Sequence, residues 1–160
     1  MYVHIDPYDP SLKICAPADA KTLAGIDISY TENLVDPVWG SLRPQRPKNP
    51  AFALDAKYAG RAHMEKLGHV RQELEKQKAR ALVVTMLDEV AWLFNLRGSD
   101  IDFNPVFFGY AVVSADSAIL FVDPAQISEE VRSQLGQDVQ LRTYIDFIPY
   151  LKELGAGLQV

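Results

Sequence analysis

The chain has 160 residues, 48% hydrophobic and 23% charged, with a formal net charge of −5. That suffices for one ordinary globular core and falls short of two full domains. An acidic balance without a basic patch excludes the footprint needed for nucleic acid or an anionic membrane, and no apolar run approaches the roughly 20 residues of a membrane-spanning helix.

The start, "MYVHIDPYDP", lacks the basic and apolar stretches of a secretory signal, so a cytoplasmic protein is expected. Cys15 stands alone, which rules out a disulfide framework or a paired-thiol metal site and fits a reducing compartment. Residues 2–5 read as a strand, "PADAKTLAG" as a short helix ended by Gly25, and Ile26–Tyr30 as a second strand alternating with period two. Such a strand-helix-strand unit, residues 1–32, is too small to cover its own apolar face and reads as the remnant of a preceding domain. In residues 33–52, "NLVDPVWGSLRPQRPKNP" carries Pro37, Pro44, Pro47 and Pro50, which fix φ and remove backbone donors. A linker is expected, with a polyproline ligand as the other reading.

Residues 53–160 form the main predicted domain. From about Tyr58, Met64, Leu67, Val70 and Leu74 recur at helical spacing with charged residues between them, predicting a helix with one buried face. His63 and His69 on this helix point roughly opposite ways, which excludes a metal pair one turn apart and makes both surface residues. "ALVVTM", Ala81 to Met86, reads as a strand of the fully buried type. Thr85 and Asp88 then suggest a capping box for the helix "LDEVAWLFNL", with Leu87, Val90, Ala91 and Phe94 inward, Trp92 in core or interface, and Gly98 as left-handed cap. "NPVFFGYAVV", opened by Pro105, and "AILFVD" predict an antiparallel hairpin across a polar turn at residues 114–117. Ser128 is the expected N-cap of "EEVRSQL", which Gly136 ends; "VQLRTY" reads as a strand and "FIPYLKEL" as a last helix. Hairpins beside crossovers imply an α/β fold, a mixed β-sheet flanked by helices.

Little in this pattern supports local catalysis. No Gly-x-Ser-x-Gly elbow occurs to accompany the three histidines, and no phosphate-cradling glycine loop occurs. Asp100, Asp102 and Asp123 with a histidine leave open a small independent enzyme, which tight metal binding would reveal. Arg97, between two apolar runs, has two readings: bonding the orphan carbonyls of the helix end and pairing with Asp100 or Asp102, or projecting to grip a peptide.

"LDEVAWLFNLRGSDIDFNPVFFGYAVV", preceded by "NLVDPVWGSLRPQRP", resembles the second non-catalytic domain of the three-domain Xaa-Pro aminopeptidases, of the creatinase/prolidase superfamily. The likeness runs over roughly residues 33–154. It implies a creatinase/prolidase N-terminal, ribonuclease H-like fold within a dimeric, cytosolic metallopeptidase that releases the N-terminal residue preceding proline. The resemblance further implies two manganese ions in a separate C-terminal catalytic domain, the expected partner of this chain. No catalytic or metal-binding residue is therefore expected here, and no cofactor. The motif would place Asn95, Arg97, Ser99 and Asp100 at the substrate entrance of a homodimer. The alternative is a stand-alone protein-interaction module derived from the same superfamily.

Overall fold

The computed structural model describes residues 35–156, with side chains for residues 37–155. The strands and helix expected in residues 1–32, together with His4 and Cys15, lie outside the described residues. The chain divides into two compact units, Met1–Gln45 and Arg46–Val160. In the first, α1 (Val35–Trp39) runs into a 3-10 turn at Gly40–Leu42, so the stretch read as linker holds a short helix. Pro37 is tolerated there because first-turn amides have no partner within the helix.

The second unit is built on a four-stranded sheet of β2 (Ala81–Val84), β4 (Gly109–Ser114), β5 (Ala118–Val122) and β6 (Val139–Thr143), neighbouring in that order. β2–β4 and β4–β5 are antiparallel, whereas β5–β6 is parallel. The parallel pair needs a crossover, and α5 (Glu129–Leu135) supplies it. Ser128 caps that helix, its hydroxyl accepting from the Val131 amide at 3.2 Å, and Gly136 ends it with φ 68°. The expected hairpin also forms: the Ser114 amide donates to the Ser117 carbonyl at 2.9 Å across the turn.

Every side chain of β5 is buried because both faces of the sheet are covered. On one face Ala111, Val113, Leu120 and Val122 meet Leu67 of α3 (His63–Lys76), Val90 and Phe94 of α4 (Leu87–Phe94), and Val131 of α5. On the other, Val112, Ile119 and Phe121 meet Phe147, Ile148 and Leu151 of α6 (Phe147–Ala156). Tyr110 stacks on Phe147 at 4.0 Å between centroids, and Phe121 meets it edge-on at 5.4 Å. Among the described residues no helix is long and apolar enough to cross a membrane.

Several local expectations are corrected. β2 is an outer strand, not a buried one: Leu82 and Val83 are 41% and 39% exposed, since a sheet edge has a neighbour on one side only. The helix after it starts from Met86 without a side-chain cap bond, so Asp88 serves only as a first-turn acid. Pro105 does not open β4, which begins at Gly109, because the residues before it make a hairpin of their own. Met64 is exposed, while His63 is buried and its Nε2 has no hydrogen-bond partner.

Burial holds the His63 pKa below its ordinary value of 6.5, although the Leu135 backbone and the Asp138 charge pull the other way. The unfolded chain therefore takes up this proton first as the solution is acidified. Stability tied to neutral His63 is complete above pH 6.5 and drains as pH falls from there towards the folded-state value. Urea unfolding at neutral pH and at about pH 5 is expected to show this loss in the natural chain and a smaller one in His63→Leu. Equal losses in both would remove His63 as its source.

Candidate functional site

The site is assembled where α4 ends. Asn95 takes the left-handed conformation, φ 54° and ψ 40°, so the residue that turns the chain is Asn95 and not Gly98. Asparagine tolerates this conformation, and here its side chain is fully engaged. Asn95 Nδ2 donates to the Arg61 carbonyl at 2.8 Å, and its Oδ1 accepts from Lys66 Nζ at 2.6 Å. The Leu54 amide donates to the Asn95 carbonyl at 2.8 Å, tying in the segment that follows β1 (Phe52–Ala53).

Lys66 was not anticipated. It sits one turn after His63 on the buried face of α3 and is 3% exposed. Its ammonium also donates to the Trp92 carbonyl at 2.7 Å and lies 4.5 Å from the centroid of the Trp92 ring. A cation at a helix C-terminus meets the negative end of the macrodipole and bonds an orphan carbonyl. Burial lowers the Lys66 pKa, and the charges of Arg97 and Arg61 lower it further. The signal in sequence was a lysine falling on the apolar stripe of a helix.

Arg97 lies in β3 (Leu96–Arg97), which pairs antiparallel with β1, Phe52 opposite Arg97. The half-buried guanidinium donates through Nη1 to the Ala91 carbonyl at 3.1 Å and to the Leu96 carbonyl at 2.7 Å. It thus ties down the helix end, as one of its two readings required. Pairing with Asp100 is not what the carboxylate does. Asp100 is 7% exposed, and its Oδ1 accepts from the Asn49 amide at 2.8 Å. Its Oδ2 accepts from the Phe108 amide and from Gln126 Nε2, both at 2.8 Å. Gln126 Nε2 donates in addition to the Asn49 carbonyl at 2.8 Å. Ser99 is exposed, and its carbonyl accepts from Asn49 Nδ2 at 2.7 Å. Asn49 and Gln126 carried no sequence signal, because each is brought in from a distant part of the chain.

Beyond this knot the chain makes a tight hairpin. The Gly98 amide donates to Pro105, that of Asp100 to Val106, and Ile101 bridges Asn104. Phe103, at its tip, has φ 62° and is fully exposed. Asn95, Arg97, Ser99 and Asp100 lie along one short connection, with Asn95 and Asp100 buried as anchors and Ser99 facing solvent.

Among the described residues no three His, Cys, Asp or Glu side chains converge. The donors once considered are engaged elsewhere: Asp100 as above, and Asp123 with Lys48 Nζ at 2.6 Å and the Ala125 amide at 3.0 Å. Asp102 is exposed in the hairpin, and His69 is exposed on α3.

A mixed sheet covered by helices on both faces defines an α/β domain. Residues 42–159 match the creatinase/prolidase N-terminal domain, and the chain belongs to that family. It is 58% identical over 129 residues to "Probable Xaa-Pro aminopeptidase P" of Coprinopsis cinerea, covering 81% of this chain and 21% of that protein. A protein of the same description in Sordaria macrospora is 51% identical over 148 residues, covering 90% and 24%. The crystal structure of X-prolyl aminopeptidase from Caenorhabditis elegans, described as a cytosolic enzyme with a di-nuclear active site, superposes with a TM-score of 0.75 at 31% identity. That match covers 88% of this chain and 24% of the nematode chain. The chain thus spans between a fifth and a quarter of the length of these relatives.

Proposed function

We propose that this chain serves as a non-catalytic domain of a Xaa-Pro aminopeptidase, a cytosolic peptidase that releases the N-terminal residue preceding proline. Its role is to shape the substrate entrance and to take part in a homodimer, while two manganese ions act in a C-terminal catalytic domain. The reading is carried by the match of residues 42–159 to the creatinase/prolidase N-terminal domain, together with relatives of which this chain spans a fifth to a quarter, and by the hydrogen bonds that anchor the Asn95–Asp100 connection. Arg97 holds the carbonyls of Ala91 in the helix and of Leu96 in β3 through a single nitrogen, Nη1, and is only half buried. The rest of its planar fork suits a peptide carbonyl or carboxylate, and a pre-organised arginine loses little entropy in binding one.

In the full-length peptidase that carries this sequence, Arg97→Ala is expected to lower kcat/KM on Xaa-Pro peptides by about tenfold. The lost carbonyl bonds cost only about 1–2 kcal/mol of stability. Arg97→Lys keeps the charge without the fork and should recover part of the stability and little of the turnover. Turnover per folded molecule that stays unchanged in Arg97→Ala would show that the arginine only ties down the helix end. Absence of Xaa-Pro cleavage by the full-length protein itself would overturn the whole reading.

A further inference from the structure

Among the described residues Lys66 is the one lysine or arginine that is buried, and stability does not account for its presence. A buried ammonium is costly unless a carboxylate pairs with it, and among the described residues none does. Leu67 and Leu74, buried on the same helix, are apolar, and an apolar side chain would fill the position of Lys66 at less cost. What the lysine supplies instead is two hydrogen bonds, and both go to the end of α4. Its ammonium reaches the Trp92 carbonyl in the last turn and Asn95 Oδ1 at the left-handed residue, at 2.7 and 2.6 Å.

The second of these bonds fixes the carboxamide. Asn95 Nδ2 donates to the Arg61 carbonyl at 2.8 Å, so turning the amide over would aim its NH2 at the ammonium and its oxygen at a carbonyl. A residue other than glycine keeps a φ of 54° only where its surroundings require it. Here they are Lys66 and Arg61, with the Leu54 amide on the Asn95 carbonyl. Two residues on, Arg97 grips the neighbouring carbonyl of the same helical turn, that of Ala91. Burial and then the charge of Arg97 lower the Lys66 pKa, so the two cations lie near enough to feel each other. Their repulsion opposes any swing of the guanidinium towards Lys66.

We infer that Lys66 is a positioning residue for the substrate entrance: its ammonium, through Asn95, sets the direction in which the chain leaves α4 and so aims the free side of the Arg97 guanidinium at the peptide. Lys66 is too deeply buried to meet the substrate, and Arg97 is the group that touches it. The inference rests on the entrance role proposed for Arg97 above and names what holds that arginine in place. A planar fork binds well only from one direction, so the contact weakens when the turn beneath it drifts.

Steady-state kinetics of the full-length peptidase on Xaa-Pro peptides is the test, with turnover referred to the folded fraction seen by circular dichroism. Lys66→Met keeps an apolar stem and removes the ammonium. It is expected to lower kcat/KM about fivefold through a rise in KM, with kcat nearly unchanged. A residue that only stabilised the fold would reduce the amount of active protein and leave KM alone. Asn95→Gly accepts the left-handed backbone and lacks the carboxamide, so it should reproduce the KM rise even if Lys66→Met folds poorly. In the double variant Lys66→Met/Arg97→Ala the two losses should not multiply, because the lysine acts through the arginine. An unchanged KM in Asn95→Gly and in folded Lys66→Met overturns the inference, as does a double variant whose losses multiply. Loss of turnover in Arg97→Ala without any effect of Lys66→Met or Asn95→Gly sinks the positioning role alone, whereas an indifferent Arg97→Ala sinks the entrance reading beneath it.

Discussion

Replacing Asp100 with alanine is expected to lower the unfolding free energy by about 3–5 kcal/mol, the largest effect of any substitution in the candidate site. The carboxylate accepts from two backbone amides, of Asn49 and Phe108, and from the Gln126 carboxamide. Truncation leaves these donors facing a hole in a region where Gln126 is 2% exposed, with nothing to replace the lost acceptor. Asp100→Asn is the sharper variant, because its shape is right and its chemistry wrong. One of its two terminal atoms must become an NH2 group, which points a donor at a donor whichever way the amide is flipped. It should therefore lose most of what alanine loses. Urea unfolding of both variants decides the matter: a loss below about 1 kcal/mol in Asp100→Asn would show that the three donors find water instead.

Gly98→Ala is expected to cost about 3 kcal/mol, near the top of the usual range for overpacking. An added Cβ would lie 2.7 Å from Phe107 Cβ and 2.9 Å from the Val106 carbonyl oxygen. Neither atom is the far end of a flexible side chain, so the hairpin of residues 98–106 would have to spread and give up the Gly98–Pro105 and Asp100–Val106 hydrogen bonds. Gly68 in α3 is the control, since a Cβ there meets nothing within 4 Å. Gly68→Ala should stabilise by roughly 0.5–1 kcal/mol, the ordinary helix-interior gain. Thermal unfolding of the two alanine variants side by side should move the midpoint in opposite directions. Movement of both in the same direction would refute the account of Gly98.

This glycine also shows where the sequence could be read and where it could not. Gly98 follows a helix, and a cap was the natural local reading; its actual reason is the nearness of Phe107, nine residues on, which no local rule encodes. The part of Asn95 as the left-handed turn was hidden because asparagine fills that role less often than glycine. The α5 crossover was legible from both ends, since Ser128 and Gly136 act through bonds within a few residues. The β4–β5 hairpin was legible for the same reason. β2 was misread because apolar composition is shared by buried strands and by outer strands with exposed apolar residues, and His63 because a single polar residue does not reveal the face it occupies. Asp100 was picked out by motif, but its three donors come from Asn49, Phe108 and Gln126, and two of those lie far away in sequence.

Those separations give the site a history in time as well as a geometry. The Asn49–Asp100, Asp100–Gln126 and Asn49–Gln126 bonds join residues 51, 26 and 77 apart. Helices and the β4–β5 hairpin form from neighbours, whereas this knot has to wait until three distant stretches have arrived, each closure carrying its entropy cost. Its three bonds therefore exist only when those stretches have been brought together by the rest of the fold, and they report on tertiary structure rather than on any one element. Arg97 stands three residues before Asp100 in the chain, so the arginine is presented from a stretch fixed at one end by the helix carbonyl of Ala91 and at the other by distant parts of the domain.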